Sequence, residues 1–353
     1  MKSKVIFRNT LAKRSSYPNS TVLLYDQDLL KYSLSFRKWA KAFSVRIGLP
    51  AGEASKSLEN FPELVQTVLK ESENFSSREM TILVVGGGTL TDLGGFLASV
   101  IKRGVKLILV PTTWLAAMDS SHGGKNGLNI SNYKNQIGTF YFPEKIEIVK
   151  EILFVQPEQR AVEVFGELMK MALISKSSLF SQLKKIKKID NQKIYSALPL
   201  AIKAKNDVVN KDPLELKKIR HVLNLGHTFA HAIEGSFDIS HGEAVLYGVV
   251  FSLIWSRSNK FLSDREFEEI IQATTWPISF QSDIYHQLLQ APVSDIKKSL
   301  MQDKKRSNKG NILEPFIYGR GKVVLKSIVI NDFLSEFKRQ RKLTQRAVHA
   351  SKY

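Results

Sequence analysis

Four of the chain's seven histidines lie between residues 221 and 241. His227, His231 and Glu234 are spaced i, i+4, i+7. On a helix they would share one face and present two imidazoles and a carboxylate to a divalent cation. His241 could add a ligand from beyond that helix. The chain has no cysteine, so thiolate chemistry is excluded and any metal must sit on His, Asp or Glu. The ordinary reading of an isolated pair of this spacing is a surface helix that satisfies its own hydrogen bonds. Gly226 and Ala230, small among large neighbours, instead mark a close approach to this helix.

Two further stretches could bind ligands. Gly86, Gly87 and Gly88 follow an apolar run and precede a helical pattern, where backbone N–H groups and a helix dipole can hold a pyrophosphate. The string lacks the last glycine of GxGxxG, so a tight structural turn stays open as the other reading. Asp92 reads either as a hydrogen-bond partner for a hydroxyl or nearby backbone, or as part of the helix start. Residues 111–127 then pack hydroxyl, acidic and basic side chains into what reads as a loop between domains. Lys125 there, Lys134 and Asn135 a little further on, and Arg103 at a helix end supply cations and an amide suited to a phosphate or carboxylate.

The elements that must carry these groups are of two kinds. Residues 22–25 form an apolar strand ending on Asp26, and residues 62–71 carry helical spacing. Residues 81–85, 90–101 and 105–110 read as strand, helix and strand, a βαβ unit. Beyond about residue 150, amphipathic stretches take over at 159–174, 194–209, 223–233 and 242–255. The expected architecture is therefore an α/β domain over residues 1–150 with a Rossmann-like parallel sheet, then an all-α domain over 151–353. Residues 184–193 and the last dozen read as polar surface or frayed ends.

At 353 residues, with 43% hydrophobic and 24% charged residues, the chain can bury two cores. No run approaches the ~18 apolar residues that span a bilayer, and residues 1–8 are basic without a signal-peptide core. The expectation is a cytoplasmic protein without membrane attachment. The net charge of +19 suits an anionic substrate. Its basic runs, such as residues 184–188 and 338–342, do not interleave with aromatics as a base-stacking surface would, so no specific nucleic acid is expected.

Together these stretches identify a family. Residues 86–96 (GGGTLTDLGGF), 110–113 (VPTT), 119–125 (DSSHGGK), 134–138 (KNQIG), 166–170 (GELMK), 223–234 (LNLGHTFAHAIE) and 241–245 (HGEAV) resemble 3-dehydroquinate synthases, in the family's order. Residues 52–56 (GEASK) and 303–305 (DKK) add weaker marks. The resemblance spans roughly residues 20 to 320.

It implies an NAD-binding domain, a helical domain and a divalent metal, usually zinc with cobalt as an alternative. The implied product chemistry is 3-deoxy-D-arabino-heptulosonate 7-phosphate to 3-dehydroquinate and phosphate, with no net redox change. The implied metal ligands are Glu167, His227 and His241, which leaves His231 for substrate or proton transfer. Implied NAD contacts are Asp26, Glu53, Lys56, Gly86, Gly87, Gly88, Asp92, Thr112, Thr113, Asp119 and Ser120. The catalytic set carried over is Lys125, Asn135, Lys170 and His231. The substrate set is Arg103, Asp119, Lys134, Lys205, Arg220, Asn224 and Lys304 or Lys305. A homodimer is the implied assembly.

His122, Asn126, Val155 and Val164 depart from residues common in the family, and the stretch 208–220 is one residue longer than usual. The neighbouring readings are a sugar-phosphate cyclase of secondary metabolism (a 2-epi-5-epi-valiolone, 2-deoxy-scyllo-inosose or amino-dehydroquinate synthase) and a metal-dependent polyol dehydrogenase.

Overall fold

The computed structural model describes residues 3–76, 79–131, 133–234, 237–275, 282–302 and 311–350. It comprises two compact units, one of Met1–Arg160 with Val209–Leu216 and one of Ala161–Val208 with Lys217–Tyr353.

The first unit is built on six parallel strands: β1 (Lys4–Arg8), β2 (Thr21–Asp26), β3 (Val45–Leu49), β4 (Thr81–Gly86), β5 (Lys106–Pro111) and β8 (Lys145–Val149). Their order is β1-β8-β5-β4-β2-β3. β4 is buried along its whole length, as a central parallel strand covered on both faces must be. Alternation along the strands divides the side chains between two cores. Val22, Leu24, Ile82, Val84, Leu107 and Leu109 pack with Leu90, Leu93 and Leu97 on one face. Leu23, Tyr25, Leu83, Val85, Ile108 and Val110 pack with Phe36 and Phe43 on the other.

Helix Gly88–Val100 lies on β4 because Gly94 lets it: a Cβ there would stand 2.4 Å from Val84 Cγ2. On its other side a Cβ on Gly95 would stand 1.8 Å from Asn126 Oδ1. Asn126 is the second residue of β6 (Lys125–Ile130), which pairs with β7 (Tyr133–Phe140) in an antiparallel hairpin where Gly127 faces Gly138. Its Nδ2 donates to the carbonyls of Gly124 and Tyr141, both at 2.9 Å.

Residues 111–127 are thus not a loop between domains. They hold helix Trp114–Met118 and the start of β6, all within the first unit. β7 is largely exposed along its first half, so the period-2 alternation that betrays a strand is absent there.

The second unit is helical, with Phe165–Ile174, Asn191–Val209, His227–Glu234, His241–Ser258, Asp264–Thr275, Val293–Gln302 and Ile330–Ala350 among its helices. The all-α expectation needs one correction: β9 (Asn311–Ile317) and β10 (Val323–Val329) form an antiparallel hairpin. Pro315, opposite Leu325 in that pairing, is a residue that ordinarily argues against a strand. Two further differences concern helices. The stretch 159–174 is broken at Val164 into Gln159–Glu163 and Phe165–Ile174. Of the last dozen residues, 342–350 continue helix Ile330–Ala350, anchored at its start by buried Phe333, Leu334 and Phe337. Among the described residues no helix is long and apolar enough to cross a membrane.

Candidate functional site

Three glycines in the second unit bring three chemically active neighbours together. A Cβ on Gly242 would stand 1.6 Å from the Glu163 carbonyl oxygen, one on Gly166 would stand 2.7 Å from the Gly242 carbonyl oxygen, and one on Gly226 would stand 2.7 Å from Val249 N. Helices Phe165–Ile174 and His241–Ser258 therefore touch backbone to backbone, as does the turn before His227. Gly226 also sits at φ +80°, a conformation that glycine adopts without strain. Each of these glycines is adjacent in sequence to one of Glu167, His227 and His241. A capping box of Ser240 and Glu243 fixes the helix start on which His241 sits.

The ligating atoms of Glu167, His227 and His241 all lie within 4.8 Å of one another. His227 Nε2 is 3.3 Å and His241 Nε2 4.0 Å from Glu167 Oε1. Glu167 is 1% exposed, and its other oxygen meets the Lys170 ammonium at 2.5 Å. Burial pushes the Glu167 carboxyl up, but Lys170 and the hydrogen bond from His227 outweigh it and hold it well below the usual carboxylate range. His227 Nδ1 lies 3.3 Å from the Leu225 carbonyl and His241 Nδ1 2.6 Å from Glu234 Oε1. In each ring Nδ1 has an acceptor, so the neutral tautomer carries its hydrogen there and keeps the Nε2 lone pair for a cation; when protonated, Nε2 of His227 donates to Glu167 instead. The Glu234 hydrogen bond raises the His241 imidazolium against the opposing effect of burial.

The face formed by His227, His231 and Glu234 does not converge on one point. Only His227 joins the cluster; Glu234 turns to His241, and the exposed His231 ring stands 5.6 Å from the His227 ring centre. A helix face lists which residues look the same way, but a partner helix decides where they point.

Elsewhere in this unit, Lys205 is buried on helix Asn191–Val209, and Arg220 is buried with Asn224 half-buried on the turn Ile219–Asn224. That turn packs against β9 and helix Phe165–Ile174. Lys304 and Lys305 lie outside the described residues.

In the first unit the expected cofactor residues gather at the carboxyl ends of three adjacent strands, where open α/β sheets bind ligands. Asp26 ends β2, Gly86 ends β4, and Thr112 follows β5. Asp26 accepts the Asp28 N–H at 3.0 Å, and burial raises its pKa. Gly87 leads into helix Gly88–Val100 with no side chain capping it. A Cβ on Gly87 would meet Thr113 at 3.2 Å, and one on Gly88 would meet Ser120 Oγ at 3.3 Å. That Ser120 hydroxyl is buried without a hydrogen-bond partner. Asp119 caps the end of helix Trp114–Met118.

Glu53 accepts from Asn129 at 2.8 Å and Thr89 at 3.2 Å. Burial raises it, and Asn129 with Lys56 brings it below the ordinary value. Asp92, near the start of helix Gly88–Val100, pairs with the buried Lys56 ammonium at 2.5 Å.

The hairpin carries Lys125, Lys134 and Asn135, and Asn135 donates its N–H to Asn129 Oδ1 at 2.9 Å. Lys125 forms an ion pair with Glu215. That residue escaped the sequence reading, although it falls in the stretch 208–220 noted for its extra length. Arg103 is exposed on the turn Ile101–Arg103 at φ +67°.

Of the departures, His122 is buried with Nε2 2.8 Å from the Ala117 carbonyl, and Asn126 holds the hairpin. Val164 is buried at a helix start, whereas Val155 is exposed.

Known proteins resemble this chain in sequence and in fold. Family models for "3-dehydroquinate synthase N-terminal" and "3-dehydroquinate synthase C-terminal" match residues 46–163 and 164–306. The 3-dehydroquinate synthase of Alkaliphilus oremlandii is 37% identical over 263 residues, covering 73% of this chain and 70% of that one. Among solved structures, a 2-deoxy-scyllo-inosose synthase complexed with carbaglucose-6-phosphate, NAD+ and Co2+ superposes with a TM-score of 0.78 at 22% identity, covering 95% of this chain and 96% of the other. The 2-epi-5-epi-valiolone synthase of Streptomyces hygroscopicus subsp. jinggangensis, with NAD+ and Zn2+ bound, gives 0.74 at 19% identity, covering 98% of each chain. At these identities the two structures establish a shared fold.

Proposed function

The chain belongs to the 3-dehydroquinate synthase family, and we propose that it converts 3-deoxy-D-arabino-heptulosonate 7-phosphate to 3-dehydroquinate and inorganic phosphate. The observation that carries this reading is the match of both family segments, contiguous over residues 46–306.

The residues present suit both accessory groups. Two imidazoles and a carboxylate, with Nε2 atoms facing one buried oxygen, are the donor set of a zinc-type site with room for a further ligand. The uncapped start of helix Gly88–Val100, with the orphaned Ser120 hydroxyl beside it, suits the pyrophosphate of NAD. When bound, NAD supplies reversible hydride transfer and the metal a Lewis acid at the substrate's oxygen atoms.

Glu167, His227 and His241 hold the metal. Lys170 keeps Glu167 ionised for that task and offers its ammonium to the substrate's oxygens. Arg220 pairs with the substrate carboxylate, where a planar fork matches two oxygens. Asn224 and Lys205 orient its hydroxyls, and His231 moves protons at the edge of the site. Lys125, Lys134 and Asn135 are the residues that hold the phosphate and steady the charge that grows on it as it leaves. Glu215 occupies Lys125 beforehand, so the incoming phosphate exchanges one anion for another on that ammonium. Zinc as the resident ion and a homodimer complete the reading; elemental analysis and sedimentation test them.

The direct test is phosphate release by metal-replete protein with NAD, with the absorbance of NADH followed alongside. Phosphate release with no net NADH is expected. Release only with sedoheptulose 7-phosphate or glucose 6-phosphate would replace this substrate, and steady accumulation of NADH would replace the reaction class.

Lys125→Ala separates the phosphate residues from the metal residues. Losing one charge-assisted contact of about 1.5–3 kcal/mol slows phosphate release roughly 10- to 100-fold. Metal content stays at the wild-type level. Stability changes little, because the Lys125–Glu215 pair is more than half exposed on the lysine side. Wild-type turnover in this variant would remove Lys125 from the mechanism.

A further inference from the structure

Helix His227–Glu234 supplies the cluster twice. At its first residue stands His227, whose Nε2 faces Glu167 at 3.3 Å. Its last residue is Glu234, whose Oε1 lies 2.6 Å from Nδ1 of His241 on the next helix. The two imidazoles are thus held differently. His227 has a neutral backbone acceptor, the Leu225 carbonyl, at 3.3 Å, whereas His241 has a carboxylate at a shorter distance.

A carboxylate in that place accepts the Nδ1–H, which fixes the tautomer with its lone pair on Nε2. It also holds the ring plane and raises the ring's basicity as a donor. His241 needs such support more than His227 does. Its side chain is 39% exposed against 14%, and its Nε2 stands further from Glu167, at 4.0 Å.

We propose that Glu234 is a positioning residue for the metal centre: through Nδ1 of His241 it sets the orientation and donor strength of that ligand without itself binding the ion. This rests on the reading of Glu167, His227 and His241 as metal ligands. It also gives the Glu at i+7 from His227 a role that a shared helix face did not suggest.

The test uses full-length protein stripped with a chelator and titrated with zinc against a competing chromophoric chelator. Wild-type protein takes up one zinc per chain. Glu234→Ala weakens zinc affinity about 10- to 100-fold, the usual cost of losing an outer hydrogen-bond partner. Glu234→Gln keeps an acceptor without the charge and loses less. Cobalt-loaded Glu234→Ala shows altered visible absorption bands, because the ring's orientation about the ion has changed.

In a His241→Ala background the further change Glu234→Ala has no effect on affinity, since Glu234 acts only through that ring. An affinity within twofold of wild type in Glu234→Ala would overturn the proposal. So would an equal loss in the His241→Ala background, which would mean the carboxylate serves the ion or the helix directly. Absence of zinc uptake by wild-type protein would overturn the metal reading and this proposal with it. Wild-type uptake with unaltered Glu234→Ala would overturn this proposal alone.

Discussion

Glu167→Gln is expected to abolish stoichiometric metal binding and to destabilise the fold at once. The two losses have separate causes. The metal loses its one anionic ligand, a larger insult than the ~10- to 100-fold that removal of an outer partner costs, and turnover falls with it. The fold loses the counter-charge to Lys170, whose ammonium is 2% exposed and paired with Glu167 at 2.5 Å. Removing one partner of a buried pair costs about 3–5 kcal/mol, whereas replacing both by apolar groups of similar size is often neutral. The double variant Glu167→Leu, Lys170→Met, apolar at both positions, is therefore expected to regain most of the stability and none of the metal. Elemental analysis and denaturant unfolding read the two effects independently. A Glu167→Gln protein with wild-type zinc content would dismiss Glu167 as a ligand, and wild-type stability would dismiss the pair as a buried one.

Gly248→Ala should disturb the same centre without touching any proposed ligand. On helix propensity alone the change gains about 1 kcal/mol. A Cβ at that position, however, would stand 1.9 Å from the Gly226 carbonyl oxygen, so helix His241–Ser258 must move away from the turn leading into His227 by about 1 Å or more. Overpacking of this kind costs about 1–3 kcal/mol and occasionally more. Functional geometry tolerates only about 0.5 Å. Metal affinity is thus expected to fall together with stability, both measured on the same preparation. A stabilised variant with full metal content would show that the backbone contact at Gly248 does not set the ligand geometry.

These two substitutions mark where the sequence was legible. The strand–glycine–helix unit at residues 81–100 could be read because central parallel strands are uniformly apolar and the helix repeats its leucines at turn spacing. The β6–β7 hairpin could not, because its outer strand faces solvent and shows no alternation. β9–β10 was hidden by Pro315. In the site, His227 and His241 were legible as candidate ligands from the residues themselves, and Glu167 came from resemblance. The residues' own spacing also grouped His231 and Glu234 with His227, and the structure places these outside the cluster and against His241 respectively. The Lys56–Asp92 and Lys125–Glu215 pairs join residues far apart in the chain, and no local pattern signals them.

By itself the sequence determined the central apolar strands and the longer helices, that a glycine turn opens a helix beneath a parallel sheet, and which side chains have donors suited to a cation or an anion. Those properties depend on the periodicity and composition of short segments. Only the tertiary structure decided which donors meet. The distance between two side chains on different helices depends on how closely the backbones approach, and here glycines at 166, 226, 242 and 248 set that approach through contacts distant in sequence.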